Sequence, residues 1–246
     1  MRLAALAATA LFALPAQGFD FGSMTEAERA QFRAEIRAYL LENPEILLEV
    51  SQALDERQQA QQAGMDAQLI AANQAEIFAD DHSFVGGNPE GSLTLVEFID
   101  YRCGYCRKAH DEVAELVRSD GDIRYVVKEF PILGEESVLA AQFAIAALRT
   151  AGPEAYARIN RAFYESFRGE VTPATLEAFG NRLGLDGAAI VAGMDAPEVM
   201  EVIEANHALA QKLQISGTPT FVLGDTMLRG YLPLDTMRGI VAEVRG

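Results

Sequence analysis

"LTLVEFIDYRCGYC", residues 93–106, decides the fold. Leu93, Leu95, Val96, Phe98 and Ile99 make a nearly continuous apolar run. Such a run reads as a central strand buried on both faces. Cys103 and Cys106 follow at once, and they are the chain's only cysteines. A helix is expected behind them, from about Gly104 to Arg118. "IRYVVKEF", residues 123–130, then reads as a second strand, ended by Pro131. A strand–helix–strand unit predicts a parallel pair, and so an α/β architecture.

Downstream, from about Glu136 to Leu213, the pattern turns helical. "SVLAAQFAIAAL", "AYARINRAFYESF", "TLEAFGNRLG" and "VMEVIEANHALAQKL" carry apolar residues at helical spacing. Gly152-Pro153, Thr172-Pro173 and Ala196-Pro197 mark the breaks. "TPTFVLGDTMLRGY" then reads as a strand, a Gly224-Asp225 hairpin turn and a short strand, and "PLDTMRGIVAEV" as a closing helix.

Upstream, "DDHSFVGGNPEGS" gathers Gly, Pro, Asn and Ser and is expected to be a boundary loop. Residues 24 to 80 are rich in Ala, Gln and Glu and helical in character. Asn43 is a good helix cap and Pro44 suits a first helical position, so one helix should end near Glu42 and the next start at Pro44. Leu47, Val50 and Leu54 follow a 3-4 spacing before the polar stretch "DERQQAQQAGMDAQ". That stretch is too polar to be buried all round. It suits either a solvated linker helix or an oligomerisation stalk. Residues 1–18, with Arg2, an apolar run from Leu3 to Leu14, and small Ala16 and Gly18, fit a secretory signal peptide. The mature chain is then expected in an oxidising compartment. Net charge is -16 over 246 residues. Such a chain is repelled by phosphate backbones, which argues against nucleic acid as a partner.

The spacing of the thiols carries the chemistry. A first cysteine at a helix N-terminus sees free backbone N–H groups and the positive end of the helix dipole, which stabilise its thiolate. The thiolate is the attacking species in disulfide exchange. Arg102, Arg107 and Lys108 add positive charge nearby, and Asp100 opposes it if it points the same way. Cys103 is therefore the expected nucleophile. Cys106, one turn inward, is expected to resolve the mixed disulfide. Three other uses of such a pair exist. Structural zinc takes four ligands, and His82, His110 and His207 show no ligand spacing, so no metal site is assigned. Cu(I) needs fewer ligands and prefers thiolate. A purely structural disulfide across so short a loop stabilises little.

Glu97 lies in the apolar strand, on the face of Leu95 and Ile99. A buried acid needs a reason. It either moves a proton to or from Cys106 or pairs with a lysine such as Lys128. "SGTPTF" places Thr218-Pro219 at a strand start, where proline is tolerated. A cis bond there would leave the Thr218 backbone free to pair with an extended substrate, and an ordinary trans turn is the alternative.

"VEFIDYRCGYC", "KEFPILG" and "GTPTF", in that order, resemble the DsbA family of thioredoxin-fold disulfide oxidoreductases over about residues 83–246. The resemblance implies a thioredoxin fold with an inserted helical subdomain at about residues 135–214. It implies Cys103 as nucleophile, Cys106 as resolving thiol, Glu97 as buried acid and Pro219 as the cis-proline, with no added cofactor. "YLLENPEIL" in a preceding helical segment, residues 19–82, is similar to ScsC-like and Com1-like periplasmic proteins, in which such helices can build an oligomer. Gly104-Tyr105 between the thiols and Thr218 before the proline resemble the DsbC isomerase more than the DsbA oxidase. These three positions are the expected substrate contacts. A periplasmic thiol–disulfide oxidoreductase acting on proteins is implied, isomerase or reductase, with a DsbD-type membrane reductant. A monomeric oxidase would instead need a DsbB-type partner.

Overall fold

The computed structural model describes residues 21–246. The leader expected at residues 1–18 lies outside the described residues. Helix α1 (Glu26–Glu42) opens on a reciprocal cap, in which Thr25 accepts from the Glu28 amide and Glu28 accepts from the Thr25 amide. Helix α2 (Glu45–Ala72) follows after Pro44. Asn43 does not act as the expected cap of α2. Its side-chain amide donates back to the Tyr39 carbonyl at 2.8 Å, so it closes α1. The polar stretch after Leu54 remains helical without a break.

The described residues divide into two compact units, 21–58 and 59–246. In the first, no residue of α1 is buried, and Ile36, Tyr39, Leu47, Val50 and Leu54 are all exposed. The second unit starts well before residue 82. Ile70 of α2 and Ile77 of α3 (Gln74–Phe78) are fully buried in its core.

The core of the second unit is a five-stranded mixed sheet in the order β1-β3-β2-β4-β5. Its strands are β1 (Phe84–Gly87), β2 (Leu93–Ile99), β3 (Ile123–Glu129), β4 (Thr220–Leu223) and β5 (Thr226–Arg229). β2 and β3 are parallel, as the intervening helix α4 (Gly104–Asp120) requires. β4 and β5 form the expected hairpin, and β4 lies antiparallel to β2. β1 lies inside the stretch expected to be a boundary loop. It pairs antiparallel with β3 at the sheet edge. Four residues with two glycines give too short an alternation to be read as a strand.

Between β3 and β4 the chain forms α5 (Glu135–Ala151), α6 (Pro153–Glu165), α7 (Pro173–Arg182), α8 (Gly187–Gly193) and α9 (Pro197–Lys212). Pro153, Pro173 and Pro197 each sit in the first turn of a helix, where a missing N–H costs nothing. The seven-residue α8 lies within the stretch expected to be helical, but the pattern does not single it out, because "GAAIVAG" spans only about two turns. Helix α10 (Leu234–Arg245) closes the fold.

Alternation along β2 distributes its side chains to two faces. Leu93 and Leu95 pack on α4 through Ala109, Val113 and Leu116, and on α10 through Met237 and Val241. Ile99, farther along that face, joins the core of the helical insert together with both cysteines. Val96 and Phe98 face the other way, onto Ile70, Ile77 and Leu209. The reactive end of β2 thus lies where sheet, α4 and insert meet.

Candidate active site

β2 delivers the chain into α4 with Cys103 as the N-cap residue, in extended conformation. Both cysteines are free thiols. Cys103 is 8% exposed and Cys106 1%. That difference already separates a thiol a substrate can approach from one it cannot. The Cys103 thiol is pulled down to about 5 from an ordinary 9.0, first by a hydrogen bond from the Cys106 thiol. The Thr218 side chain and the amides of Tyr105 and Cys106 add to it, and burial opposes. Cys103 Sγ also lies 3.2 Å from the Thr218 carbonyl, which accepts only from the protonated thiol. That contact favours the neutral form, and the donors outweigh it. Cys106 is pushed far up by burial, by its bond to Cys103 and by the charge of Glu97.

The basic residues of the loop do not supply the expected field. Arg102 pairs with Glu136 at 2.9 Å. Arg107 donates to the Phe163 and Tyr164 carbonyls of α6. The Lys108 ammonium lies 4.0 Å from the centre of the Tyr231 ring. Asp100 points away from the thiols. Its carboxylate accepts from the amides of Arg102, Ile132 and Leu133 and from the Ser137 hydroxyl, at 2.7–3.0 Å. It fastens the Cys loop to "KEFPILG".

Glu97 is buried, with its carboxylate accepting from the Tyr125 hydroxyl of β3. The suggested lysine pair does not form. Register sets Glu97 beside Val127 and Phe98 beside Lys128, so Lys128 is on the opposite face. There it pairs with Asp80 and donates to the Glu76 carbonyl. Burial raises Glu97 to about 7, the Tyr125 hydroxyl holds it down, and the charge of Cys103 pushes it up. Sequence reasoning missed Tyr125, which alternation along β3 places two residues from Val127 on the Glu97 face.

The Thr218–Pro219 bond is cis. Gly104 and Tyr105 are exposed at the head of α4, Tyr105 to 65%. Cys103, Cys106, Glu97, Thr218 and Pro219 thus share one end of the sheet. The histidines stand elsewhere. His110 packs on Tyr164, and its ligand atoms group with Asp111 and Glu165, not with the thiols. His207 contacts the Pro131 carbonyl.

A thioredoxin family model matches residues 79–243, most of the chain. The chain belongs to the thioredoxin-like family. The model of the copper resistance protein ScsC N-terminal domain matches residues 28–61. A thioredoxin-like oxidoreductase from Silicibacter pomeroyi is 39% identical, with 70% of this chain and 98% of that one covered and a TM-score of 0.65. The thiol-disulfide exchange protein alpha-DsbA2 of Wolbachia pipientis is 27% identical, covering 74% and 97%, at a TM-score of 0.69. Proteus mirabilis ScsC in a transitional conformation is 26% identical and covers 90% and 98%, at 0.67. Among curated proteins, the Na(+)/H(+) antiporter NhaA 1 of Salinispora arenicola is 29% identical over 173 residues, 66% of this chain. The chain spans only a quarter of that protein's length. Among the described residues, no helix is long and apolar enough to cross a membrane.

Proposed function

We propose that this chain catalyses thiol–disulfide exchange on protein substrates, as a disulfide isomerase or reductase. The observation that carries the exchange chemistry is the split between its two thiols, and the isomerase or reductase choice is supported by Gly104-Tyr105 between them and Thr218 beside them. Cys103 lies at the surface end of α4 with its thiol pulled down to about 5, and Cys106 lies beneath it, pushed far up. The Cys103 thiolate attacks one sulfur of a substrate disulfide, and the other substrate sulfur leaves as a thiolate. In isomerisation that thiolate attacks elsewhere in the substrate and finally displaces Cys103. In reduction, Cys106 gives its proton to Glu97 and attacks Cys103 Sγ, which frees the substrate thiolate and leaves a Cys103–Cys106 disulfide. Gly104, Tyr105 and the Thr218 backbone receive the substrate chain, beside Pro219.

Residues 19–82 form the assembly segment in this reading. The exposed Ile36, Tyr39, Leu47, Val50 and Leu54 of the first unit take a second copy of the chain, supported by the match to the ScsC N-terminal model. Several sites on one oligomer then hold a misfolded substrate at more than one point. Residues 1–18 direct export to the periplasm, and a DsbD-type membrane protein keeps Cys103 reduced.

A second reading is a monomeric dithiol oxidase served by a DsbB-type partner. The depressed Cys103 thiol favours it, because stabilising the thiolate stabilises the reduced form and makes the disulfide more oxidising. Reactivation of a scrambled, wrongly disulfide-bonded enzyme in glutathione buffer separates an isomerase from an oxidase or a dedicated reductase. The isomerase reading predicts recovery with the native chain and none with Cys103→Ser. Exchange with glutathione but no reactivation would mean an oxidase or a dedicated reductase.

A further inference from the structure

Glu129 is a second buried acid, 3% exposed, which the exchange reaction does not use. Its Oε1 accepts from two hydroxyls, Tyr101 at 2.7 Å and Tyr156 at 2.5 Å. Its Oε2 is buried without a protein partner. Two further buried polar atoms among the described residues share that condition, Ser83 Oγ and His82 Nε2. The His82 nitrogen lies 3.3 Å from Asp80 without hydrogen-bond alignment. All three residues line one small cavity, walled otherwise mainly by apolar side chains such as Phe84 and Val202, with Tyr156 and Asn206 beside them. Buried polar atoms in native proteins are almost always satisfied. Three orphans around one void therefore identify a ligand.

We infer that this cavity is a binding site for one buried water, held by Glu129 Oε2, Ser83 Oγ and His82 Nε2. The void leaves about 10 Å³ for a water centre, close to the ~10–15 Å³ that one water needs. Three partners match the usual valence of a buried water. Burial holds the Glu129 carboxyl up at about 8, so it is neutral at pH 7. With both tyrosines donating to Oε1, the proton belongs on Oε2, where only the water accepts it. The water in turn hydrogen-bonds His82 Nε2 and Ser83 Oγ. It thereby ties the segment before β1 to β3 and the helical insert, a link that no protein–protein hydrogen bond makes at these atoms.

The test is a crystal structure of the native chain at a resolution that shows buried waters, paired with infrared spectra. A water peak within hydrogen-bond reach of the three atoms is expected, kept in Glu129→Gln and lost in Glu129→Met. At neutral pH, the carbonyl stretch of a protonated acid should weaken in Glu129→Gln. An empty cavity in the native chain, or Glu129 Oε2 turned onto a protein donor or acceptor, overturns the inference. Because the native chain decides that outcome, a failure of Glu129→Met to fold does not blunt it.

Discussion

Cys103 Sγ and the carbonyl oxygen of Thr218 lie 3.2 Å apart, although 115 positions separate the two residues in the chain. The pairing of β4 with β2, which sets Thr220 beside Phe98, brings them together. A thiol beside the Thr218 backbone suits a reaction on extended peptide, in which the substrate chain pairs there while the sulfur reacts. The helical insert lies between these strands in sequence but not in the sheet.

Cys106→Ser removes the resolving thiol and leaves the attacking one. It should accumulate a covalent complex with a disulfide-bonded substrate, read by mass spectrometry of acid-quenched mixtures. Cys103→Ser should accumulate none. A complex formed by Cys103→Ser and absent in Cys106→Ser would reverse the two roles.

Glu97 accepts a proton only when ionised, so release of the mixed disulfide should fall off below about pH 7. Tyr125→Phe removes the hydroxyl that holds the acid down, and the acid limb should move to higher pH. Glu97→Gln should flatten that limb and slow release. If it leaves release unchanged across the range, the acid is structural. Stability gives an independent sign. A raised carboxyl contributes fully below its ordinary 4.5, and the contribution is lost as pH climbs to about 7. Above that, Glu97→Gln should stabilise the chain by roughly 3 kcal/mol. Chemical denaturation at pH 5 and pH 8 measures the difference.

Asp100→Ala strips the acceptor from three amides and one hydroxyl in a buried loop. Unfolding free energy should drop by at least about 3 kcal/mol. A loss of under roughly 1 kcal/mol in a denaturant titration would deny Asp100 its anchoring part.

Truncation distinguishes the two units. Removing residues 19–58 should give a folded monomer by light scattering that still reacts through Cys103. Extending the deletion to residue 80 takes away Ile70 and Ile77 and exposes Val96 and Phe98. Ile77→Ala in the full chain should itself cost about 2–5 kcal/mol. A mature chain that is already monomeric would end the assembly reading.

Much of this was legible in "LTLVEFIDYRCGYC" because a doubly buried strand and a helix start are local patterns. β2, α4, β3 and the closing hairpin follow from such patterns. β1 was not legible: its pairing with β3 is a long-range property of four residues that carry little signal. The partners of Glu97 and Asp100 were hidden for a related reason. Alternation places Glu97 on a face, yet only the β2–β3 register shows that Tyr125 shares it and Lys128 does not. Charge proximity along the sequence misled at Arg102, Arg107 and Lys108, whose long side chains reach Glu136, α6 carbonyls and Tyr231 instead.

The central claim is that Cys103 is the ionised, attacking thiol over a protonated Cys106. The direct measurement is thiolate absorbance of the reduced protein against pH, with Cys106→Ser and Cys103→Ser in parallel. A single transition near pH 5, absent in Cys103→Ser, is the predicted result. Cys106→Ala, run beside them, removes the thiol donor and should shift it upward. A transition near the ordinary cysteine value of 9.0, or one that survives Cys103→Ser, would contradict the account.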